Sequence, residues 1–550
     1  MKDTLTRRLI LIIIVVGLIF SILVVRITKL MIFNKQILIA SSESPRYHER
    51  GFILDRNGQK LALSLKTYSV YARPEEVENK KETAQRLARI LETDYSWILK
   101  KLNQNTHFVW IKRQLDLKYS EKLEKMEIQG IYIQPEYKRF YPFNNLGSHV
   151  IGFSGVDNVG LEGIEYYFDS LLLPRRIDQK GINYSDYQRG YSVVLTIDRF
   201  MQDVVEEELE KAYTQTGARY ITAVVMNPNN GEIYALANKP DYNLNQFTSY
   251  PDEIKRNKAI TDTFEPGSTF KPFVASILLN EGTIESRSQF MCRGEVTIKS
   301  TTIHDTGTHG IVDLTEILEK SCNVGMVKMV DRIDRTTLYQ GLRAYGFGSL
   351  TGLNLPGEAR GILRKPKSWS TISKYEIAIG QEVAVTPIQL ITAASALANG
   401  GVLMHPRIVK QIQKPDGTVL KNFPSMEIRR VVHTGTAHKI LEILSGVLTP
   451  SGTGYKAHIE GYSLAGKTGT AQIADLVDGG YLENQFYASF LGFVPASDPR
   501  MVVLVTLDQP KGEVYGGQIA APIFKRIVEK IAPYMNILPR SGEVYVLREK

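Results

Sequence analysis

Leu9 to Val25 is an apolar run broken only by Gly17 and Ser21, and no other feature constrains the chain as much. Ile27, Leu30, Met31 and Ile32 carry it past Arg26 and Lys29. A helix needs roughly 17–25 such residues to cross a bilayer. A cleaved leader has a shorter apolar stretch, about 7–15 residues, followed by small residues. Here Arg26, Thr28 and Lys29 follow instead. Residues 9–32 are therefore expected to be an uncleaved transmembrane anchor behind a cytoplasmic tail, residues 1–8. Lys2, Arg7 and Arg8 nearly balance Arg26, Lys29 and Lys35, so charge does not orient the anchor. The short tail and the large remainder place the N-terminus inside and the rest of the chain outside the cytoplasm.

That remainder has globular composition. Of 550 residues, 43% are hydrophobic and 23% charged, which allows two or three domains with real cores. The net charge is +9, but no dense Lys/Arg block is interleaved with aromatics, so nucleic acid is not an expected partner. Cys292 and Cys322 form no C-x-x-C pair and fit no zinc-ligand spacing, so neither a metal nor another cofactor is expected. An oxidising compartment would allow them one disulfide; the plainer expectation is two reduced, packed thiols.

Residues 40–190 read as a mixed, non-catalytic pedestal. Phe52-Ile53-Leu54 and Lys60-Leu61-Ala62 flank Asp55-Arg56-Asn57-Gly58, where Asn-Gly can supply the positive φ angles of a tight hairpin. Glu82–Leu91 and Ser96–Leu102 read as helices, and Arg139–Pro142 and Gly160–Glu165 as loop elements. From Tyr191 the texture changes. Strands are expected at Val193–Ile197, Ile221–Met226, Glu232–Ala237, Phe486–Val494 and Met501–Asp508, and helices at Arg199–Tyr213 and Ala520–Ile531. Antiparallel strands at both ends with helices between them predict an α/β (α+β) domain over 191–536, followed by a tail, 537–550.

Glu265-Pro266-Gly267-Ser268-Thr269-Phe270-Lys271-Pro272 turns into the apolar stretch Phe273–Leu279. Ser268 thus starts a helix, with Lys271 on the same face one turn on. A serine hydroxyl needs a base beside it. A lysine can serve if burial or a neighbouring cation keeps it neutral. S-x-x-K alone is a weak signal, but two more motifs follow in order: Ser321-Cys322-Asn323, then Lys467-Thr468-Gly469-Thr470 in a strand-like stretch, Leu464–Ile473. Ser321 can relay a proton, and Asn323 can hold a substrate amide with both halves of its side chain. Lys467 can supply the positive charge that keeps Lys271 neutral, and Thr468 and Thr470 can donate to a carboxylate. The backbone N–H groups of Ser268 and Thr470 can form an oxyanion hole.

This ordered set resembles the penicillin-binding protein and serine β-lactamase superfamily. Arg50-Gly51 with Asp55–Gly58, Arg139-x-Tyr141-Pro142 and Gly160-x-x-Gly163-x-Glu165 resemble the pedestal motifs of class B penicillin-binding proteins. Gly380-Gln381 with Thr386-Pro387-x-Gln389 resembles their transpeptidase helix, and Thr386 also has the form of a helix cap. The ending from Gly492–Pro495 to Ala520–Pro522 is similar to the division-specific, FtsI-like group. The resemblance implies a peptidoglycan D,D-transpeptidase of septal wall synthesis. Ser268, Lys271, Ser321, Asn323 and Lys467 would be catalytic, and Thr468, Gly469 and Thr470 substrate-binding. It implies D-Ala-D-Ala stem peptides as substrate, β-lactams as acylating mimics, and an FtsW-like polytopic glycosyltransferase docked on the pedestal around Arg50 and Glu165.

Rival expectations are an elongation-specific enzyme similar to penicillin-binding protein 2, a D,D-carboxypeptidase or β-lactamase on the same scaffold, and a catalytically silent binding scaffold. No chain length remains for a glycosyltransferase domain before Ser268, which argues against a bifunctional class A enzyme. His149, His304 and His309 are expected at loops or the surface, and no G-x-S-x-G elbow is present.

Overall fold

A computed structural model describes residues 49–115, 119, 122–123, 128–173, 189–475 and 479–539, with eight scattered positions from 14 to 26. The expected tail 1–8, most of the anchor 9–32 and nearly all of 537–550 lie outside the described residues. The described positions between 14 and 26 are helical and exposed. Among the described residues no helix is long and apolar enough to cross a membrane.

The catalytic segment is organised by a five-stranded antiparallel sheet. Its order is Ala465–Ala474, Tyr481–Val494, Met501–Asp508, Tyr220–Met226 and Ile233–Lys239. The inner strands Met501–Asp508 and Tyr220–Met226 are near-continuous Val, Leu, Ile and Ala, as strands buried on both faces require. Helices Arg199–Thr216 and Gly516–Tyr534 pack on the sheet and on each other, and Pro387–Ala398 and Thr434–Gly446 form a second pair against it. Arg199–Thr216 begins where Asp198 accepts from the N–H of Phe200 and Met201, and stops at Gly217 in the left-handed region. Pro387–Ala398 is buried throughout and starts at a complete capping box of Thr386 and Gln389 behind Pro387.

A second sheet joins pedestal to catalytic segment. Ile53–Leu54 pairs parallel with Ser192–Leu195, which pairs antiparallel with Val409–Gln413, so one ladder crosses the composition change at Tyr191. On its far side Lys60–Ala72 pairs with Val109–Leu115 and Ile131–Phe140. Helices Lys80–Leu91 and Tyr95–Leu102 cover these strands over a small separate core including Val70, Leu87, Leu91, Ile98 and Ile111.

Three local expectations change. The hairpin at Asp55–Gly58 forms, but only Gly58 takes a positive φ. Asp55 Oδ1 accepts from the N–H of Asn57 and Gln59, so the aspartate closes the turn in place of Asn57. Arg139 and Phe140 end a strand rather than form a loop, and Gly163–Tyr167 is a short helix. His149 is buried: Nε2 meets the Ile254 carbonyl at 2.9 Å, and burial lowers its pKa to about 4.

The pedestal stretches that carry the family resemblance converge on one buried network. Arg50 Nε lies 2.5 Å from Glu165 Oε2 and its Nη1 2.7 Å from Asp169 Oδ1. Arg139 Nε lies 2.6 Å from Glu165 Oε1 and its Nη1 donates to the Gly51 carbonyl at 2.7 Å. Arg50 and Glu165 are 0% exposed. They cannot be the docking face the sequence suggested; two fixed positive and two negative charges here tie the chain together.

Candidate active site

Pro266-Gly267 does not lead straight into an α-helix. Gly267–Phe270 is a 3₁₀ turn, and the α-helix runs Lys271–Asn280. A 3₁₀ turn has three residues, so positions 268 and 271 eclipse more closely than on an α-helix. The N–H of Lys271 bonds to the Ser268 carbonyl. The turn is held from outside, with Gly267 N–H donating to the Gly380 carbonyl at 3.0 Å. Gly380 has φ +86, and a Cβ there would lie 2.0 Å from the Gly267 carbonyl oxygen, so only glycine fits. Behind the turn, Phe270, Phe273, Tyr345 and Phe347 pack edge-on or tilted and fix the helix. Ser268 itself is half-buried.

The three motifs meet. Lys271 Nζ donates to the Ser321 carbonyl at 2.5 Å and to Asn323 Oδ1 at 2.7 Å, and lies 3.3 Å from Ser321 Oγ. Lys467 Nζ reaches the same Ser321 Oγ at 2.9 Å and the Thr468 carbonyl at 3.2 Å. One hydroxyl therefore touches both amines. Ser321 has φ +59, a left-handed conformation without glycine. The Asn323 amide is engaged at both ends, its Nδ2 donating to the His304 carbonyl at 2.9 Å. Its oxygen has a second lone pair and its nitrogen a second proton, so both ends can still meet a substrate amide.

Lys467, Thr468, Gly469 and Thr470 lie on Ala465–Ala474, the edge strand of the five-stranded sheet. Alternation puts Lys467 and Gly469 on one face, Thr468 and Thr470 on the other. Gly469 abuts the nucleophile turn: a Cβ would lie 2.9 Å from Thr269 Cγ2 and 3.1 Å from the Pro266 carbonyl oxygen. Thr468 Oγ1 lies 2.9 Å from Thr453 Oγ1. Thr470 Oγ1 accepts from Gly516 N–H at 3.0 Å, leaving its own proton free to donate.

Both amines are 0% exposed. Burial brings Lys271 down to about 8, opposed by the nearby Asp305 carboxylate. Burial also takes Lys467 well below its ordinary value, and the charge of Lys271 lowers it further. Repulsion between them is mutual, so the pair gives up one of its two protons readily. Asp305 belongs to none of the motifs. Its only sequence signal is an Asp-Thr-Gly turn between the third and fourth strands of the region's small sheets.

A serine opening a buried helix, a lysine of lowered pKa one turn on, and a hydroxyl bridging two amines define an active-site-serine acyltransferase. The chain belongs to the penicillin-binding protein transpeptidase family. Residues 221–529 match the penicillin binding protein transpeptidase domain, and residues 45–181 the penicillin-binding protein dimerisation domain. The chain is 35% identical to stage V sporulation protein D of Bacillus subtilis over 527 residues, covering 92% of this chain and 81% of that one. It is 33% identical to the peptidoglycan D,D-transpeptidase FtsI of Escherichia coli, covering 89% and 84%. The structure of penicillin binding protein 3 of Mycobacterium tuberculosis complexed with aztreonam superposes with a TM-score of 0.73 at 28% identity, covering 90% of this chain and 98% of that one.

Proposed function

We propose that this chain is a peptidoglycan D,D-transpeptidase that cross-links stem peptides in septal wall synthesis through an acyl-enzyme on Ser268. The carrying observation is the shared contact of Ser321 Oγ with Lys271 and Lys467. A substrate's terminal carboxylate arriving beside Lys467, with Thr468 and Thr470 near it, would draw the pair's proton there through Ser321. Lys271 is then the neutral base. It takes the Ser268 proton as Oγ attacks the penultimate D-Ala carbonyl. The leaving D-Ala nitrogen receives a proton through Ser321, and the amine of a second stem peptide displaces Ser268 from the acyl group. The edge strand offers unpaired backbone groups along which an extended peptide can lie. β-Lactams acylate Ser268 in place of the stem peptide.

The apolar run at 9–32 fits a single-pass anchor that holds the catalytic domain outside the cytoplasm. The pedestal fits a platform for a polytopic glycosyltransferase of FtsW-like kind, on a surface other than buried Arg50 and Glu165. Likeness to stage V sporulation protein D favours a second reading, a transpeptidase of spore wall formation. Depletion separates the two: filaments indicate septal synthesis, and normal division with defective spores the alternative. The chemistry is tested by labelling the full chain with fluorescent penicillin. Ser268→Ala should abolish the covalent label while the melting temperature holds. An adduct mapped to another residue by mass spectrometry would overturn the assignment.

A further inference from the structure

Cys292 ends the strand Phe290–Cys292, opposite Gly310. His309 immediately precedes Gly310, Asp305 follows the strand Thr301–His304, and Cys322 caps the helix Asn323–Val330. The fold thus brings together one potential ligand atom from each of Cys292, Asp305, His309 and Cys322, all within 4.8 Å of one another. Cys292 Sγ lies 3.6 Å from Asp305 Oδ2, and His309 Nε2 3.3 Å from Asp305 Oδ1.

A second observation is independent of this clustering. His309 Nε2 is buried and makes no hydrogen bond, because its approach to Asp305 is close but not aligned for one. A buried ring nitrogen aimed at a carboxylate and two thiols, yet bonded to none of them, is a costly arrangement unless something sits among them. Both cysteines are free and 0% exposed.

We propose that Cys292, Asp305, His309 and Cys322 bind one zinc ion in a closed four-ligand structural site beside the active centre. Two thiolates, an imidazole and a carboxylate suit zinc and disfavour calcium or magnesium. Metal–ligand bonds of about 2.0–2.3 Å put tetrahedral ligand atoms about 3.3–3.8 Å apart. Cys292 and His309 each already lie in that range from one Asp305 oxygen, Oδ2 and Oδ1 in turn, and small side-chain rotations close the rest. Binding releases the two thiol protons to water. The cation replaces them charge for charge, so the cluster keeps the single negative charge of Asp305 that faces Lys271.

The site acts by positioning. Cys322 stands between Ser321 and Asn323, the two residues that hold Lys271. Asp305 Oδ2 also accepts from the N–H of Val324 at 3.1 Å. A metal joining Cys322 to Asp305 fixes the left-handed turn at Ser321 that no glycine relieves. With four protein ligands it has no open position for substrate, so it is not a Lewis acid for acyl transfer.

The test uses the full chain, purified under reducing conditions from cells supplied with zinc, with metal content read by mass spectrometry. About one zinc per chain is expected. His309→Ala should lose the zinc and lower the melting temperature, and His309→Cys should retain both. Without a metal, a chelator would leave the melting temperatures of the parent and of both variants unchanged. Chelation of the parent should slow β-lactam labelling of Ser268 roughly tenfold, in the range for loss of a supporting shell. Zinc content no higher than in His309→Ala would overturn the proposal. So would a Cys292–Cys322 disulfide in protein purified without reductant, identified by mass spectrometry of the denatured, chelator-treated chain. Neither result bears on whether Ser268 is acylated, so the site and the reaction are tested separately.

Discussion

Around Arg50, two guanidinium groups meet two carboxylates; around Lys271, two amines contact only hydroxyl, amide and carbonyl oxygens. Both clusters are buried, and both draw on residues far apart in the chain. In the pedestal each charge has an opposite charge within hydrogen-bond distance, and its work is to hold strands and loops together. At the active site the amines lack a contacting counter-ion. Burial is therefore not offset, the pKa of Lys271 falls to about 8, and the proton becomes transferable. Paired buried charge makes structure; unpaired buried charge makes a base.

Lys271→Met sets up the sharpest break in this comparison. It removes the base and should slow acylation by fluorescent penicillin roughly 10²–10⁴-fold, the usual range for a general base. It also removes a desolvated amine, so the melting temperature should hold or rise. A fall in stability together with the rate would show that Lys271 is a structural member like Arg50.

Arg50→Met should do the opposite. It takes Arg50 from buried Glu165 and half-buried Asp169, and losing one partner of a buried pair costs about 3–5 kcal/mol. Urea denaturation of the full chain measures this. Acylation per folded molecule should be unchanged, since Arg50 touches none of the motif residues. A rate loss beyond twofold in the folded fraction would mean that the pedestal network communicates with Ser268.

What the sequence discloses follows how local each feature is. Ser268 and Lys271 are legible because three residues separate them and Pro-Gly announces the turn. Thr386, Pro387 and Gln389 are legible as a cap because all their bonds are made within one turn. Ser321, Asn323 and Lys467 become legible only as an ordered set, and their contacts with Lys271 follow from the fold. That both lysines are pushed down was not legible, because it depends on their complete burial. The strand Ile131–Phe140 was obscured by Pro135 and its charged residues, and proline within a run argues against a strand. The four-residue cluster around Asp305 was hidden because its members lie on separate elements with none of the spacings of a local metal motif. Arg50 and Glu165 were legible as a motif but misread as surface, since a charged residue with no apparent chemistry suggests exposure until its partners are known.

The smallest effect sharpens the comparison without any mutation. Lys271 acts as base in its neutral form, and its pKa in the free protein is lowered to about 8. Below that value the neutral fraction falls about tenfold per pH unit, so the second-order rate of β-lactam acylation should climb with pH and level off above about 8. Near pH 7 roughly a tenth of the molecules are competent, so alkalisation should gain about tenfold at most. The sign is fixed by the cause: desolvation disfavours the ammonium form, and an ordinary exposed lysine would put the plateau near 10.4 instead. The paired network should add no step over the same interval, because arginine keeps its charge throughout. The measurement is the rate constant for loss of free enzyme from pH 6 to 10, with melting temperature followed in parallel. A midpoint near 10 would mean that the amine is solvated when the β-lactam arrives, and Lys271 would then lose its place as the poised base.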